Sequence, residues 1–250
     1  CVDCAGRGRG NLFGSARASR PRQWGSVRVS AQTPVVTYAI IGVCVALWVG
    51  DILTKGVITQ YLGFTPIHGL YQPWRILTTA FLHVNLMHIA FNMVSLYAIG
   101  RALEPALGRG PYFCLYLLSA LGGTLGVLGW VLIDPSSALT VTVGASGAIF
   151  GLFGSVFVLQ RAAGIDVRAV VGLLAVNLLY GFIVSGVSWQ AHLGGLLFGM
   201  LATWGMLALG KPRSGMTAKK QRRRLYLGIA GMFLAELVIL VVTYMVLLNI

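Results

Sequence analysis

An α-helical membrane bundle is the fold class this sequence predicts, and three observations predict it. Of the 250 residues, 57% are hydrophobic and only 10% are charged, and the mean hydropathy is +0.81. Soluble domains carry about 45–50% apolar and about 25% charged residues, so a globule of this composition would have too little polar surface to face water. The apolar residues also fall in long continuous runs, whereas a membrane β-barrel alternates polar and apolar positions. Finally, 33 glycines at this hydropathy suit helices packed backbone to backbone in lipid.

Residues 1–33 are rich in Gly, Arg and Ser and are expected to be a flexible, basic cytoplasmic tail. No secretory-type apolar segment precedes the first apolar run. The chain opens on Cys rather than Met, so an upstream portion is expected, and Cys1-Val-Asp-Cys4 reads as the stump of a small zinc ribbon. A complete zinc site needs a second ligand pair, so no metal site is assigned. Cys44 and Cys114 lie within apolar runs and read as small buried hydrophobes.

Seven apolar runs follow, at about 35–53, 76–100, 111–133, 146–160, 167–187, 190–210 and 225–249. Each is read as a helix crossing or entering a hydrocarbon core about 30 Å thick. Charge sets their direction. Of 19 Lys+Arg, six lie between Arg7 and Arg28 and seven between Lys211 and Arg224. A cytoplasmic N-terminus puts both clusters, with Arg101, Arg109, Arg161 and Arg168, on the inner side, leaving only Lys55 and Arg75 outside. The positive-inside rule strongly prefers that orientation, which places the C-terminus outside. The net charge of +13 is therefore a topology signal and an attraction to anionic headgroups at the inner face, not a nucleic-acid site. A cell membrane is favoured over an organellar one. The first outer loop, roughly 54–75, carries Tyr61, Phe64, Tyr71 and Trp74, aromatics expected in the headgroup layer.

Polar residues inside lipid are costly and point to function. Three clusters stand out: Gly144-Ala145-Ser146-Gly147, Ala191-His192-Leu193-Gly194-Gly195, and His83 with His88 and Asn92. The apolar run after Ser146 reaches only to about Gln160. Its rise of about 22 Å falls short of the core, so the helix starts below the outer surface. Its N-terminal N–H groups and dipole favour negative charge beside Ser146, as an oxyanion site requires. A serine taken alone in a membrane helix usually just packs against its neighbours, but His192 matches its depth. The stripes Gly147-x-x-x-Gly151 and Gly195-x-x-x-Gly199 suit close contact between the two helices that carry them. A neutral histidine brought to the serine hydroxyl serves as general base and then general acid. None of the six acids lies one turn from His192, so a Ser–His dyad is expected. His88 and Asn92 are four apart on one helical face, with His83 about 140° from His88 on the same helix, and side chains of these types can donate to an oxyanion. There is no H-E-x-x-H and no pair of facing aspartates, so neither a zinc nor an aspartyl protease is indicated. A transporter would spread polar residues through the full depth of several spans; here they gather in the outer half, Glu236 excepted.

Together these clusters resemble the rhomboid family of intramembrane serine proteases, over about residues 35–210. Trp74-Arg75 and Glu104 match the family as well. The resemblance implies a six-helix protease domain at 34–210, a basic linker at 211–224 and an additional membrane helix at 225–250. Within it Ser146 would be the nucleophile and His192 its base. His88, Asn92, the Ser146 N–H and Gly144 would form the oxyanion hole. Arg75, Trp74 and Glu104 would be structural, His83 a polar support at the cavity mouth, and Gly195 and Gly199 the close-packing positions. Phe150 stands where some members carry a Tyr that stacks on the histidine. Glu236 would be protonated and hydrogen-bonded to the bundle, or else contact a partner or substrate. The implied activity is endopeptidase cleavage of transmembrane protein substrates without a cofactor. The alternative is a catalytically inactive rhomboid-like protein that binds transmembrane clients.

Overall fold

The computed structural model describes residues 33–184, 186–212 and 214–249. Cys1, Cys4 and the expected basic tail up to residue 32 lie outside the described residues. Among those described there is no strand, only one isolated antiparallel bridge between Phe64 and Thr142. The helices are α1 (Val35–Leu53), α2 (Val57–Leu62), α3 (Arg75–Thr78), α4 (Leu86–Leu107), α5 (Arg109–Val131), α6 (Ser146–Ala162), α7 (Arg168–Ile183), α8 (Trp189–Gly210) and α9 (Ala218–Leu247). Five of them, α1, α4, α5, α8 and α9, are long and apolar enough to cross a membrane. The 17 residues of α6 and 16 of α7 rise about 25 Å and 24 Å, short of the hydrocarbon core.

Three features differ from the sequence-based expectation. The run at 76–100 is not one helix. It divides into α3, a 3-10 turn over Thr79–Phe81 and, after a break at 82–85, α4. The break arises because Asn85 takes an extended conformation and its side chain accepts the His88 N–H at 2.8 Å, capping a new helix. His83 therefore sits in the break rather than on the helix with His88. The basic linker is shorter than expected: α9 begins at Ala218, with the Thr217 hydroxyl accepting from the Lys220 N–H. Lys and Arg are good helix formers, so the basic cluster extends the helix instead of interrupting it. Phe64 is not interfacial; it is fully buried.

Helix α5 is the hub. It touches α1, α4, α6, α8 and α9, and Tyr112, Leu115, Tyr116 and Leu118 on it are completely buried. Its tyrosines carry their polar ends to partners: Tyr116 donates to the Ala80 carbonyl at 3.0 Å, and Tyr112 accepts from Thr37 at 3.2 Å. Packing of α5, α6 and α8 is backbone on backbone. A Cβ at Gly195 would overlap the Gly147 carbonyl, and one at Gly199 would overlap Gly151. Only glycine permits that approach.

Two buried charges fasten the periphery. Glu104, 2% accessible, accepts from the Val36 and Thr37 N–H groups at 2.9 and 2.8 Å and from the Thr37 hydroxyl at 2.8 Å. It thereby caps the start of α1, whose own N-cap residue is Pro34. Arg75 is buried as well; it donates to the Gly63 carbonyl at 2.6 Å and to the Gln72 side chain, closing the outer loop on itself. Trp74 donates to the Tyr61 carbonyl at 3.2 Å in the same loop. From the far side, Tyr244 of α9 donates to the Pro66 carbonyl at 3.0 Å. Glu236 is buried inward on α9, but its Oε2 has no hydrogen-bond partner among the described residues; the expected bond from that atom to the bundle is not made.

Candidate active site

Ser146 is the first residue of α6, and the chain reaches it through a sharp turn. Gly144 has φ +138°, a conformation favouring glycine. The turn is pinned from two directions. The Gly144 N–H donates to the Thr79 carbonyl at 3.0 Å, while the Thr79 hydroxyl donates to the Thr142 carbonyl. Thr142 is itself paired with Phe64 of the outer loop, with N···O separations of 2.7 and 3.1 Å. Extended chain, turn and helix start are thus tied to the α3–α4 segment before Ser146 is reached.

The site is recessed. The position of a Cβ on Gly147 lies 3.6 Å from the Cα of Gly123, and Gly123 is eight residues short of the α5 end at Val131. At 1.5 Å per residue, Ser146 starts its helix about 12 Å below that end. The Ala145 N-cap supplies no side-chain bond to the first turn of α6, so N–H groups there remain open to an incoming acceptor. A cavity of about 20 Å³, lined in part by Thr79, Thr124, Thr142, Gly144 and Gly147, adjoins the turn; that is room for about one water.

The structure brings Ser146 and His88 to this turn, with Asn92 and His192 on the neighbouring helices α4 and α8. A Cβ on Gly144 would stand 2.9 Å from Nε2 of His88 and 3.5 Å from Oγ of Ser146, so both side chains edge the space that glycine leaves open. Asn92, one turn below His88 on α4, donates one amide hydrogen to the His88 carbonyl at 2.8 Å; its second hydrogen remains available. His192 enters from α8. Ala191, its neighbour, has its carbonyl 3.1 Å from the Cβ position of Gly147, the neighbour of Ser146, so the two helices face each other at this level. The His192 ring stacks on Phe150 at 4.1 Å between centroids and 11° between planes. Phe150 lies one turn after Ser146 on the same helix. Nδ1 of His192 is buried with no hydrogen-bond partner among the described residues. The ring is thus held by packing rather than by a carboxylate.

The other expected residues lie farther out, His83 excepted. His83, almost fully buried, meets His88 edge to face at 5.0 Å. Glu104 is sixteen residues along α4 from His88, about 24 Å away, and Trp74 and Arg75 act within the outer loop. Sequence reasoning did not find Thr79, Thr142 or Gly181. The first two act through carbonyls and a hydroxyl, as any threonine might, and carry no distinctive signal. Gly181 of α7 brings its backbone to the His192 ring, a Cβ there standing 3.4 Å from Nδ1; a glycine in an apolar run was its single visible sign. Among the described residues no group of three or more His, Cys, Asp or Glu is placed to hold a metal ion.

A family model, the rhomboid domain, matches residues 71–209, which takes in Ser146, His192, His88 and Asn92. The chain is 33% identical over 155 residues to the rhomboid protease GluP of Bacillus subtilis, covering 59% of this chain and 28% of that protein. It is 35% identical over 184 residues to the putative rhomboid protease YdcA of Bacillus subtilis, covering 68% of this chain and 87% of the relative. With RHOMBOID-like protein 4 of Arabidopsis thaliana the identity is 32% over 189 residues, 70% of this chain and 45% of the plant protein.

Proposed function

This chain belongs to the rhomboid family, and from that premise we propose that it is an intramembrane serine endopeptidase working through a Ser146–His192 dyad. The observation that carries the reading is that Ser146 Oγ and the His88 ring both edge the space at Gly144, while a buried His192 stacks on Phe150, one helical turn along from Ser146. His192 takes the proton as Ser146 Oγ attacks the scissile carbonyl, and returns it to the departing amine as the peptide bond breaks. The resulting ester is hydrolysed by water, for which the small cavity beside the turn has space. Charge developing on the carbonyl oxygen is met by the Ser146 N–H, by His88 and by the free amide hydrogen of Asn92.

Recession constrains the substrate. A peptide bond some 12 Å below the α5 end is reached only by a segment that leaves its helix, because helical carbonyls are occupied by their own N–H groups. Transmembrane protein segments that unwind near the outer surface are the substrates this geometry favours. Positive-inside charge supports a cytoplasmic N-terminus and an outer C-terminus, with residues 34–210 as the protease unit and α9 as an additional helix.

The test is labelling of the purified, folded protein with a fluorophosphonate. Native protein labels, and Ser146→Ala and His192→Ala each reduce labelling at least about 10³-fold. Labelling that survives Ser146→Ala places the nucleophile elsewhere. Folded native protein that never labels, yet still co-purifies with transmembrane clients, would instead be an inactive binder.

A further inference from the structure

We propose that the cavity between the α4–α5 turn and the start of α9 is a binding site for the phosphate headgroup of an anionic phospholipid. The cavity is about 700 Å³ and is lined by Arg109, Arg222, Tyr226 and the turn Gly108–Gly110. That volume lies within the roughly 300–1,000 Å³ usual for ligand pockets. Two segments distant in sequence therefore bring a guanidinium each to one hollow.

Among the described residues no carboxylate answers them. Glu104, the acid nearest the turn, is committed to the start of α1, and among the described residues the one ion pair is Arg168–Asp166 at the far end of α6. Arg222 is held with its guanidinium carbon 5.7 Å from the Tyr226 ring centroid. The Tyr226 hydroxyl in turn lies so close to Gly110 that a Cβ there would overlap it. Gly108 gives the first turn of α5 no side-chain cap, which adds N–H groups to the same electropositive hollow. Paired guanidiniums of this kind match the oxygens of a phosphate.

Position selects the source of that phosphate. The hollow sits where the apolar part of α5 begins after Arg109 and that of α9 after Arg224, so it lies at headgroup level. Leu107 and Leu225 also line it, giving acyl or glycerol carbons a surface that free phosphate would not use. Basic pockets between membrane helices at such a level are suited to acidic headgroups. The site is independent of the protease chemistry.

The experiment uses full-length protein in neutral detergent, titrated with short-chain phosphatidylglycerol, short-chain phosphatidylcholine or inorganic phosphate, with bound lipid counted by native mass spectrometry. Phosphatidylglycerol is expected to be retained in preference to phosphatidylcholine. Arg109→Gln and Arg222→Gln should each weaken retention about fivefold and together about twenty-five-fold. Arg161→Gln, which removes an exposed charge on the same basic side outside the cavity, should leave retention unchanged. Equal retention of both lipids, equal loss with Arg161→Gln, or full displacement of phosphatidylglycerol by millimolar inorganic phosphate would each overturn the assignment.

Discussion

Helices α5 and α7 both border the Ser146 region, yet they are built on opposite plans. Fourteen of the 23 residues of α5 are buried. On α7 only Leu174 and Gly181 of 16 residues are buried, while Val176, Leu179, Phe182 and Ile183 are exposed. With α6 and α8, α5 forms a unit locked by backbone contacts that admit no side-chain adjustment. α7 leans on that unit and reaches the site through one glycine beside His192. The contrast teaches how rigidity is apportioned: the candidate nucleophile Ser146 and candidate base His192 ride on the locked helices, His88 and Asn92 ride on α4 packed against them, and the wall beside His192 is the loosely held one.

The comparison can be broken most severely at Gly195. Gly195→Leu must part α6 from α8, and it is expected to cost about 3 kcal/mol, read as a collapse of the thermal unfolding midpoint in detergent together with loss of fluorophosphonate labelling. Preserved stability in that variant would mean the three-helix unit is not the rigid body described here. Hydrogen exchange sharpens the same contrast without mutation. Amides of α7 should exchange well before those at the centres of α5 and α8, since few buried contacts hold α7 in place; equal protection would remove the distinction.

Next in size is Phe150→Ala. The stack is worth about 0.5–1.5 kcal/mol, so turnover should fall by up to about tenfold. The unfolding midpoint, measured alongside, should fall as well, because truncating a buried Phe leaves a cavity. Tyr244→Phe deletes a single hydrogen bond to the outer loop, an effect of about 1 kcal/mol, visible as a modest drop in thermal stability and faster proteolysis near Pro66. Smallest is Gly172→Ala on α7, where a Cβ would meet nothing within 4 Å. Helix propensity then predicts a gain of about 0.5–1 kcal/mol, measurable as a slight rise in midpoint; a loss would reveal packing that α7 is not described as having.

Features with a strong local signal were legible in the sequence. The spans α1, α5 and α8 lie within two residues of their expected limits, because uninterrupted apolarity has one meaning in lipid. The glycine stripes at 147–151 and 195–199 foretold the α6–α8 contact because spacing of four marks one helix face. What stayed hidden depends on distant backbone. The break before α4 carries apolar Leu82 and Val84 and looks like helix; Asn85 three residues ahead of His88 was the available cue. Phe64 has the chemistry of an interfacial aromatic, and only its pairing with Thr142 takes it inside. Thr79 holds Gly144 through its main chain, which no side-chain pattern encodes.

The bond from Tyr244 to Pro66 spans 178 residues of sequence. Synthesis at about 5–20 residues per second separates the emergence of these two partners by roughly 10–35 s. For that interval the outer loop, whose Phe64 braces the extended segment leading to Ser146, exists without its final clamp. The helix that completes the support of the outer loop is therefore made after every candidate catalytic side chain. A chain cut short before Tyr244 would carry every candidate catalytic side chain and still lack that brace.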